Sequence, residues 1–371
     1  MAGLIFDQEG NLYGTASGGG TGIHGPVGVV FKLTPRGKET VLYSFCEQSG
    51  CTDGEGPEAG LVFDQKGNLY GTTHFGGYGC SSGCGVVFKL TPEGNYTVLH
   101  GFEGTDGANP AAGLVFDRKG NLYGTTVNGG AYGGGVVFKL TPKGKETVLY
   151  SFCAQSNCAD GEEPYAGVVL DQKGNLYGTT PAGGGYGHCG AYESQSCGVV
   201  FKLTPEGKET VLYSFCAQNN CADGAWPLAG LIFDQKGNLY GTTTFGGNLQ
   251  NDGVVFKLTP GGNETVLYAF CAQDNCVDGS LPLAVLVFGK EGDLYGTTQL
   301  GGAPGGGGVV FKLTPKGKEK VLYSFCWQDN CTDGQHPYAG LVFDQKGNLY
   351  GTILEGGAGT YAGGVVFRLT P

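Results

Sequence analysis

No stretch of this 371-residue chain is apolar over anything near the roughly 20 residues a membrane-spanning helix needs. None shows the apolar period of an amphipathic helix either, so a helical bundle is excluded. Phosphate-cradling loops are missing, since Gly-rich segments such as 301–308 lead into strands and not into helix N-termini. Cysteines at x4 spacing lack the helix setting that activates a Cys-x-x-Cys thiol, which excludes a thiol-redox role. Basic charge is the scarce sign: 22 Lys and Arg stand against 33 Asp and Glu, for a net charge of −11. The lysines are interleaved with acids and have no aromatic platform beside them, which disfavours nucleic acid as a partner. No leader precedes the first strand-like run, so the sequence is expected to be a mature or trimmed form.

What the chain has in abundance is repetition. The phrase Ala-Gly-Leu-Ile-Phe-Asp opens at Ala2 and returns, with small changes, at Ala59, Ala112, Ala166, Ala229, Ala284 and Ala339. A period of about 55 residues marks an array of units, each too small to bury its own apolar face. In the fourth unit, Val168–Asp171 and Asn175–Thr180 flank Gln172-Lys173-Gly174, a hairpin turn with glycine at the left-handed position. Gly198–Leu203 is a third strand, Thr204-Pro205-Glu206-Gly207 a second turn, and Glu209–Phe215 a fourth strand. Four-stranded meanders repeated seven times predict an all-β, seven-bladed β-propeller, with a β-solenoid as the runner-up. The expected blades are 2–58, 59–111, 112–165, 166–228, 229–283, 284–338 and 339–371, within one domain spanning 2–371. The glycine after each Leu-Tyr reads as a place of close backbone approach. The last unit stops at its third strand, Val365–Leu369, so a partner strand, from flanking sequence or another chain, is expected to complete that blade.

The fourteen cysteines fall into seven local pairs: Cys46/Cys51, Cys80/Cys84, Cys153/Cys158, Cys189/Cys197, Cys216/Cys221, Cys271/Cys276 and Cys326/Cys331. The loop after the second unit, 102–107, has lost both its cysteines together, as a covalent pair predicts. Zinc is the rival reading, but each loop offers two sulfurs and no second pair at metal spacing. Disulfides are therefore expected, each worth roughly 2 kcal/mol on the chain-entropy estimate. They imply an oxidising compartment, extracellular or at the cell surface.

The phrases Ala-Gly-Leu-Val-Phe-Asp, Gly-Asn-Leu-Tyr-Gly-Thr-Thr, Gly-Val-Val-Phe-Lys-Leu-Thr-Pro and Thr-Val-Leu-Tyr-Ser-Phe, followed by Asp-Gly-x-x-Pro, resemble the GloVer tandem repeat over residues 2–371. The Gly-Asn-Leu-Tyr strand is more loosely similar to the NHL-type propeller unit. The GloVer resemblance implies display on a bacterial surface or export, and carries no catalytic residues to transfer.

In an up-and-down propeller, the turns between strands 1–2 and 3–4 share one face, and the remaining connections share the other. All 22 Lys and Arg belong to the first group or its strand ends, leaving the opposite face with about half of the 33 acids and no fixed cation. On that acidic face Asp53, Asp106, Asp160, Asp223, Asp278 and Asp333 recur before glycine. They read either as turn formers or as a carboxylate ring at a channel mouth able to hold Ca2+, although Asp274-Asn275-x-x-Asp278-Gly279 lacks the EF-hand pattern; otherwise no cofactor or metal is expected. Trp226, Trp327, Tyr165, Tyr338, His188 and Tyr192 share the face, and aromatic rings beside carboxylates and amides suit sugars. The aromatic residues equally read as covers over loop backbone. Three functions follow: a binding or scaffold module for a glycan or surface protein, a structural block of a larger assembly, or a glycan lyase or hydrolase. For an enzyme, the irregular loop 181–197, with His188, Tyr192 and Glu193, is the first place to look.

Overall fold

A computed structural model describes residues 3–81, 83–185, 197–248, 250–303, 305–357 and 363–371. Six sheets hold four antiparallel strands in chain order and a seventh holds three, making the seven blades of a β-propeller. The first blade runs Ile5–Phe6, Leu12–Ala16, Val29–Leu33 and Glu39–Ser44, and the last runs Val342–Phe343, Leu349–Ile353 and Val365–Leu369. The chain divides into two compact units, residues 1–178 with 202–210 and residues 179–201 with 211–371, so the fourth blade contributes to both.

The first hairpin of each blade is made by its Asp. The Asp64 carboxylate accepts from the backbone N–H of Lys66 (2.8 Å) and Asn68 (2.9 Å), the Asn68 amide (2.6 Å) and the Tyr70 hydroxyl (3.1 Å). Gly67 takes the left-handed φ of 80° that the turn needs. Between the second and third strands the register sets Gly71 against Phe88 and Gly124 against Phe138. A methyl on Gly124 would lie 2.7 Å from the Phe138 ring and 2.8 Å from Leu114. The close approach at these glycines is therefore by side chains, not by the backbone that sequence reasoning pointed to.

The Val-Val-Phe runs are buried on both faces because blades stack. Val86, Val87, Phe88, Val136, Val137 and Phe138 are fully buried, each worth roughly 1.5–3 kcal/mol relative to exposure. The phenylalanine after each fourth strand meets the next blade's third strand: Phe45 on Phe88 at 5.2 Å, Phe102 on Phe138 at 5.1 Å, Phe270 on Phe311 at 5.0 Å. Thr72 and Thr125 tie consecutive blades by donating to the carbonyls of Ala112 (3.1 Å) and Ala166 (2.9 Å). A bulge between the third and fourth strands recurs at Val87/Phe88, Val137/Phe138 and Val255/Phe256, adding local twist.

Among the described residues, the last blade's third strand pairs with Leu349–Ile353 alone. Its Val365, Val366 and Phe367 are half-buried, where the same positions are fully buried in the second to sixth blades.

Candidate recognition site

Each fourth strand leads into a loop closed on itself. In the first blade Cys46 (φ 58°) and Cys51 (φ 50°) both adopt left-handed backbone and form a disulfide around a 3-10 turn, Ser49–Cys51. Disulfides also join Cys80–Cys84, Cys153–Cys158, Cys216–Cys221, Cys271–Cys276 and Cys326–Cys331. Cys197 is disulfide-bonded as well, and its expected partner Cys189 lies outside the described residues.

The Asp before the glycine organises this loop. Asp53 accepts from the Tyr43 hydroxyl (2.7 Å) and the N–H groups of Glu47 (3.0 Å) and Gln48 (3.2 Å). Asp160, Asp223, Asp278 and Asp333 repeat this set, with Asp223 accepting from Tyr213 (2.8 Å), Ala217 (2.9 Å) and Gln218 (3.1 Å). Asp53, Asp160, Asp223 and Asp278 are fully buried. Asp106 departs from the set, accepting from the Glu103 N–H (2.8 Å) and facing His100 Nε2 (2.9 Å). These carboxylates face donors of their own loops, the geometry of turn formers.

The tip of each loop, the residue before proline in Asp-Gly-x-x-Pro, is where the blades differ. It is Gly56, Asn109, Glu163, Trp226, Leu281 and His336 in turn, and every one is left-handed, with φ between 56° (Leu281) and 62° (Gly56). For a non-glycine residue this conformation costs about 1–2 kcal/mol. Neighbouring blades hold it in place: the Asn109 N–H donates to Cys84 O (2.8 Å), and its carbonyl accepts from Val127 N–H (3.1 Å). Trp226 does the same with Cys197 O and Thr244 N–H, both at 3.0 Å. The proline that follows packs against the glycine opening the preceding blade's third strand, as Pro110 does on Gly85 and Pro282 on Gly253. One backbone frame thus carries a glycine and five different side chains.

Within the first unit the tip residue Asn109 is joined to side chains and backbone of adjoining loops. His74 Nδ1 lies 3.8 Å from Glu58, Asn109 donates to His74 O (3.1 Å), and Asn128 donates to the Asn109 side chain (3.3 Å). Burial first, then the carboxylates of Glu163 and Glu58, raise the Tyr165 hydroxyl above its ordinary pKa; burial lowers that of His74 against the opposing pull of Glu58. Within the second unit Trp226 packs edge-on to Phe245 at 5.6 Å, Tyr338 bonds Gln299, and Glu355 accepts from Gln335 (2.8 Å) with His336 at 3.8 Å. Tyr165 is 41% exposed and Trp327 66%. Trp327 sits beside its disulfide on the cysteine loop, where Ala154, Ala217 and Ala272 stand in other blades. His188, Tyr192 and Glu193 lie outside the described residues.

Sequence reading singled out Trp226 by its ring but passed over Asn109, Glu163 and Leu281. Their signal was there: of the two variable positions in Asp-Gly-x-x-Pro, the second holds a different residue in every blade.

The fourth-strand Glu residues follow the lysine-bearing turn in sequence but sense the Asp of the preceding loop. Burial, then the charge of Asp160, raises Glu209 to about 7, and Asp223 and Asp278 do the same to Glu264 and Glu319. Each carboxyl therefore faces the Tyr–Asp pair of the preceding loop. At the opposite end of the blades an open groove of about 600 Å³ runs between Asp117, Lys119, Lys139 and Lys173. Its walls are the repeated turn residues, with acids and lysines mixed, and they offer nothing distinctive to a ligand.

The fold and this loop end define a seven-bladed β-propeller that carries variable side chains on a fixed frame. The family model described as the Gloeobacter/Verrucomicrobia repeat matches residues 1–192, 80–277 and 186–371, and the chain belongs to that family, the GloVer repeat of the sequence phrases. No curated protein matches the chain by sequence. Among solved structures it is similar to the extracellular domain of BT4673 from B. thetaiotaomicron, at 11% identity and a TM-score of 0.59, covering 99% of this chain and 38% of that one. It is also similar to PorZ, a bacterial surface component of the type-IX secretion system of Porphyromonas gingivalis, at 15% identity and a TM-score of 0.55, covering 98% and 46%. The chain spans less than half the length of either, and the likeness is one of fold. No helix among the described residues is long and apolar enough to cross a membrane.

Proposed function

We propose that this propeller is an extracellular recognition module that engages a glycan or a surface protein through its disulfide-pinned loop end. The observation that carries this reading is the left-handed tip: six clamped positions, Gly56 to His336, share one backbone and differ in chemistry. Rigid loops lower the entropy cost of binding, so strain spent on fixing varied residues at one half-buried backbone position suits preorganised recognition. The disulfides support an oxidising compartment, and the two solved neighbours, an extracellular domain and a surface component, are in keeping with it. Exposed Trp327 beside Gln328, and Tyr165 beside Glu163, pair a stacking face with hydrogen-bonding groups, which favours sugar rings.

The test is a glycan array together with a pull-down from surface-protein extracts. A hit is expected, and Trp327→Ala should weaken it at least about tenfold, the loss of one stacking contact of roughly 1.4 kcal/mol. Silence in both screens, or a hit indifferent to Trp327→Ala and Trp226→Ala together, removes the reading.

A second reading, as a block of a larger assembly, is favoured by the open strand Val365–Leu369. Concentration-dependent size in solution would support it, and a strict monomer would count against it.

A further inference from the structure

We propose that His100, Asp106 and Glu146 form a site for one divalent transition-metal ion of the Zn2+ class, joining the loop after the second blade to the fourth strand of the third. His100 stands where the first, third, fourth, fifth and sixth blades carry Tyr43, Tyr150, Tyr213, Tyr268 and Tyr323. In those blades the Asp oxygen that meets the tyrosine also takes a backbone N–H, as Asp278 does from Tyr268 (2.7 Å) and Ala272 (2.9 Å). The shorter loop 102–107 supplies no such second donor. Among the described residues Asp106 Oδ2 hydrogen-bonds His100 Nε2 alone, at 2.9 Å, while Oδ1 is held by the Glu103 N–H at 2.8 Å.

Glu146, the first residue of the neighbouring fourth strand, supplies the third group. Among the described residues its Oε1, like that of Glu209, Glu264 and Glu319, is sealed from solvent without a hydrogen-bond partner; here a His–Asp pair stands beside it. The three ligand atoms, one imidazole nitrogen and two carboxylate oxygens, lie within 4.8 Å of one another. Ligands of one Zn2+ sit about 2.0–2.2 Å from the ion, so small side-chain rotations close this set around it. Ca2+ prefers six to eight oxygens and is poorly served by an imidazole. The His100 and Asp106 side chains are 18% and 22% exposed, which leaves an entry path and room for a water ligand. A dication also neutralises the two carboxylates that face each other. Loop 102–107 is the fourth-strand loop that has no cysteine pair within it, and a metal there would cross-link it to the next blade.

The whole chain, stripped with chelator, is titrated with Zn2+ and with Ca2+ by calorimetry, and its melting is followed with each ion. One tight Zn2+ per chain, a raised melting temperature and no comparable Ca2+ binding are expected. His100→Tyr installs the residue of the other blades and should weaken Zn2+ binding at least about tenfold while the β-sheet circular dichroism is kept. Glu146→Gln should do likewise, and Glu209→Gln, at the matching position of the fourth blade, should leave binding intact. The proposal is overturned if Zn2+ binds no tighter than millimolar, if His100→Tyr binds as well as the unaltered chain, or if Glu209→Gln loses binding equally.

Discussion

Gly124 shows how one residue can fix a blade. Its Cα lies under the Phe138 ring and against Leu114, both buried, so an added methyl must displace two packed side chains. Gly124→Ala is expected to cost about 1–3 kcal/mol in denaturant unfolding, the usual penalty of overpacking. Gly18→Ala is the control for crowding, because nothing lies within 4 Å of its Cβ position and, like Gly124, it is not left-handed. The recurrence of glycine after Leu-Tyr was legible in the sequence, but its cause was not. Which side chain crosses a glycine depends on register, and the same Gly–Phe pairing is kept across connecting loops of different length, Gly71 with Phe88 and Gly124 with Phe138, so it is set by strand pairing and not by local pattern. The same holds for Asp223: a turn former by motif, while its acceptance of the Tyr213 hydroxyl emerges only once strand and loop are folded together.

Among the elements, the fourth strand is the one whose chemistry sequence position alone does not give. The sequence places Glu209 beside Lys208 and next to a turn at the lysine-rich end, yet the folded strand carries its carboxyl to Asp160. The pH dependence follows. Glu209, Glu264 and Glu319 ordinarily titrate near 4.5, and burial followed by a neighbouring Asp raises each to about 7 when folded. The folded chain then holds protons that the unfolded chain has released, so this stability is complete below the unfolded value and is lost as pH rises through about 7. The hairpin aspartates act in the opposite sense. Burial pushes Asp64, Asp117 and Asp171 up, but hydrogen bonds from Asn68, Asn121 and Asn175 and their neighbours outweigh it and leave them below the usual range. Their contribution is present above the unfolded value and is lost as pH falls through the folded one. Stability should therefore peak at mildly acidic pH, about 5. Combined Glu209→Gln, Glu264→Gln and Glu319→Gln should flatten the alkaline side of the curve. At pH 8 the gain should be roughly 1 kcal/mol per site, discounted because these groups are only about half buried. Chemical denaturation from pH 4 to 9 reads this directly, and a triple variant with an unchanged curve would contradict the Glu–Asp contacts.

At the scale of the molecule, the repeat period carried the architecture without help, because stacking blades is the way units of this size bury Val-Val-Phe on both faces. The sequence also located the defect in that scheme, the last blade's open edge, since counting strands is enough to find it. The structure adds a chemical description of what the edge would accept. In the sixth blade the third strand Val309–Leu313 pairs with Glu319–Ser324, Val310 opposite Tyr323 and Phe311 opposite Val321, and its Val-Val-Phe is fully buried. Val365–Leu369 has the same side chains, apart from Arg368 in place of lysine, but none of them is fully buried. A synthetic peptide with the sequence of residues 208–215, Lys-Glu-Thr-Val-Leu-Tyr-Ser-Phe, should therefore add to it as an antiparallel strand. Saturating peptide is expected to raise the melting temperature by about 2–4 °C, and a labelled version should show saturable binding by fluorescence anisotropy. Replacing the valine of the peptide by proline removes a ladder donor and should abolish both effects. If the valine and proline peptides behave alike, the edge does not accept a strand of this kind, and assembly through the last blade loses its physical basis.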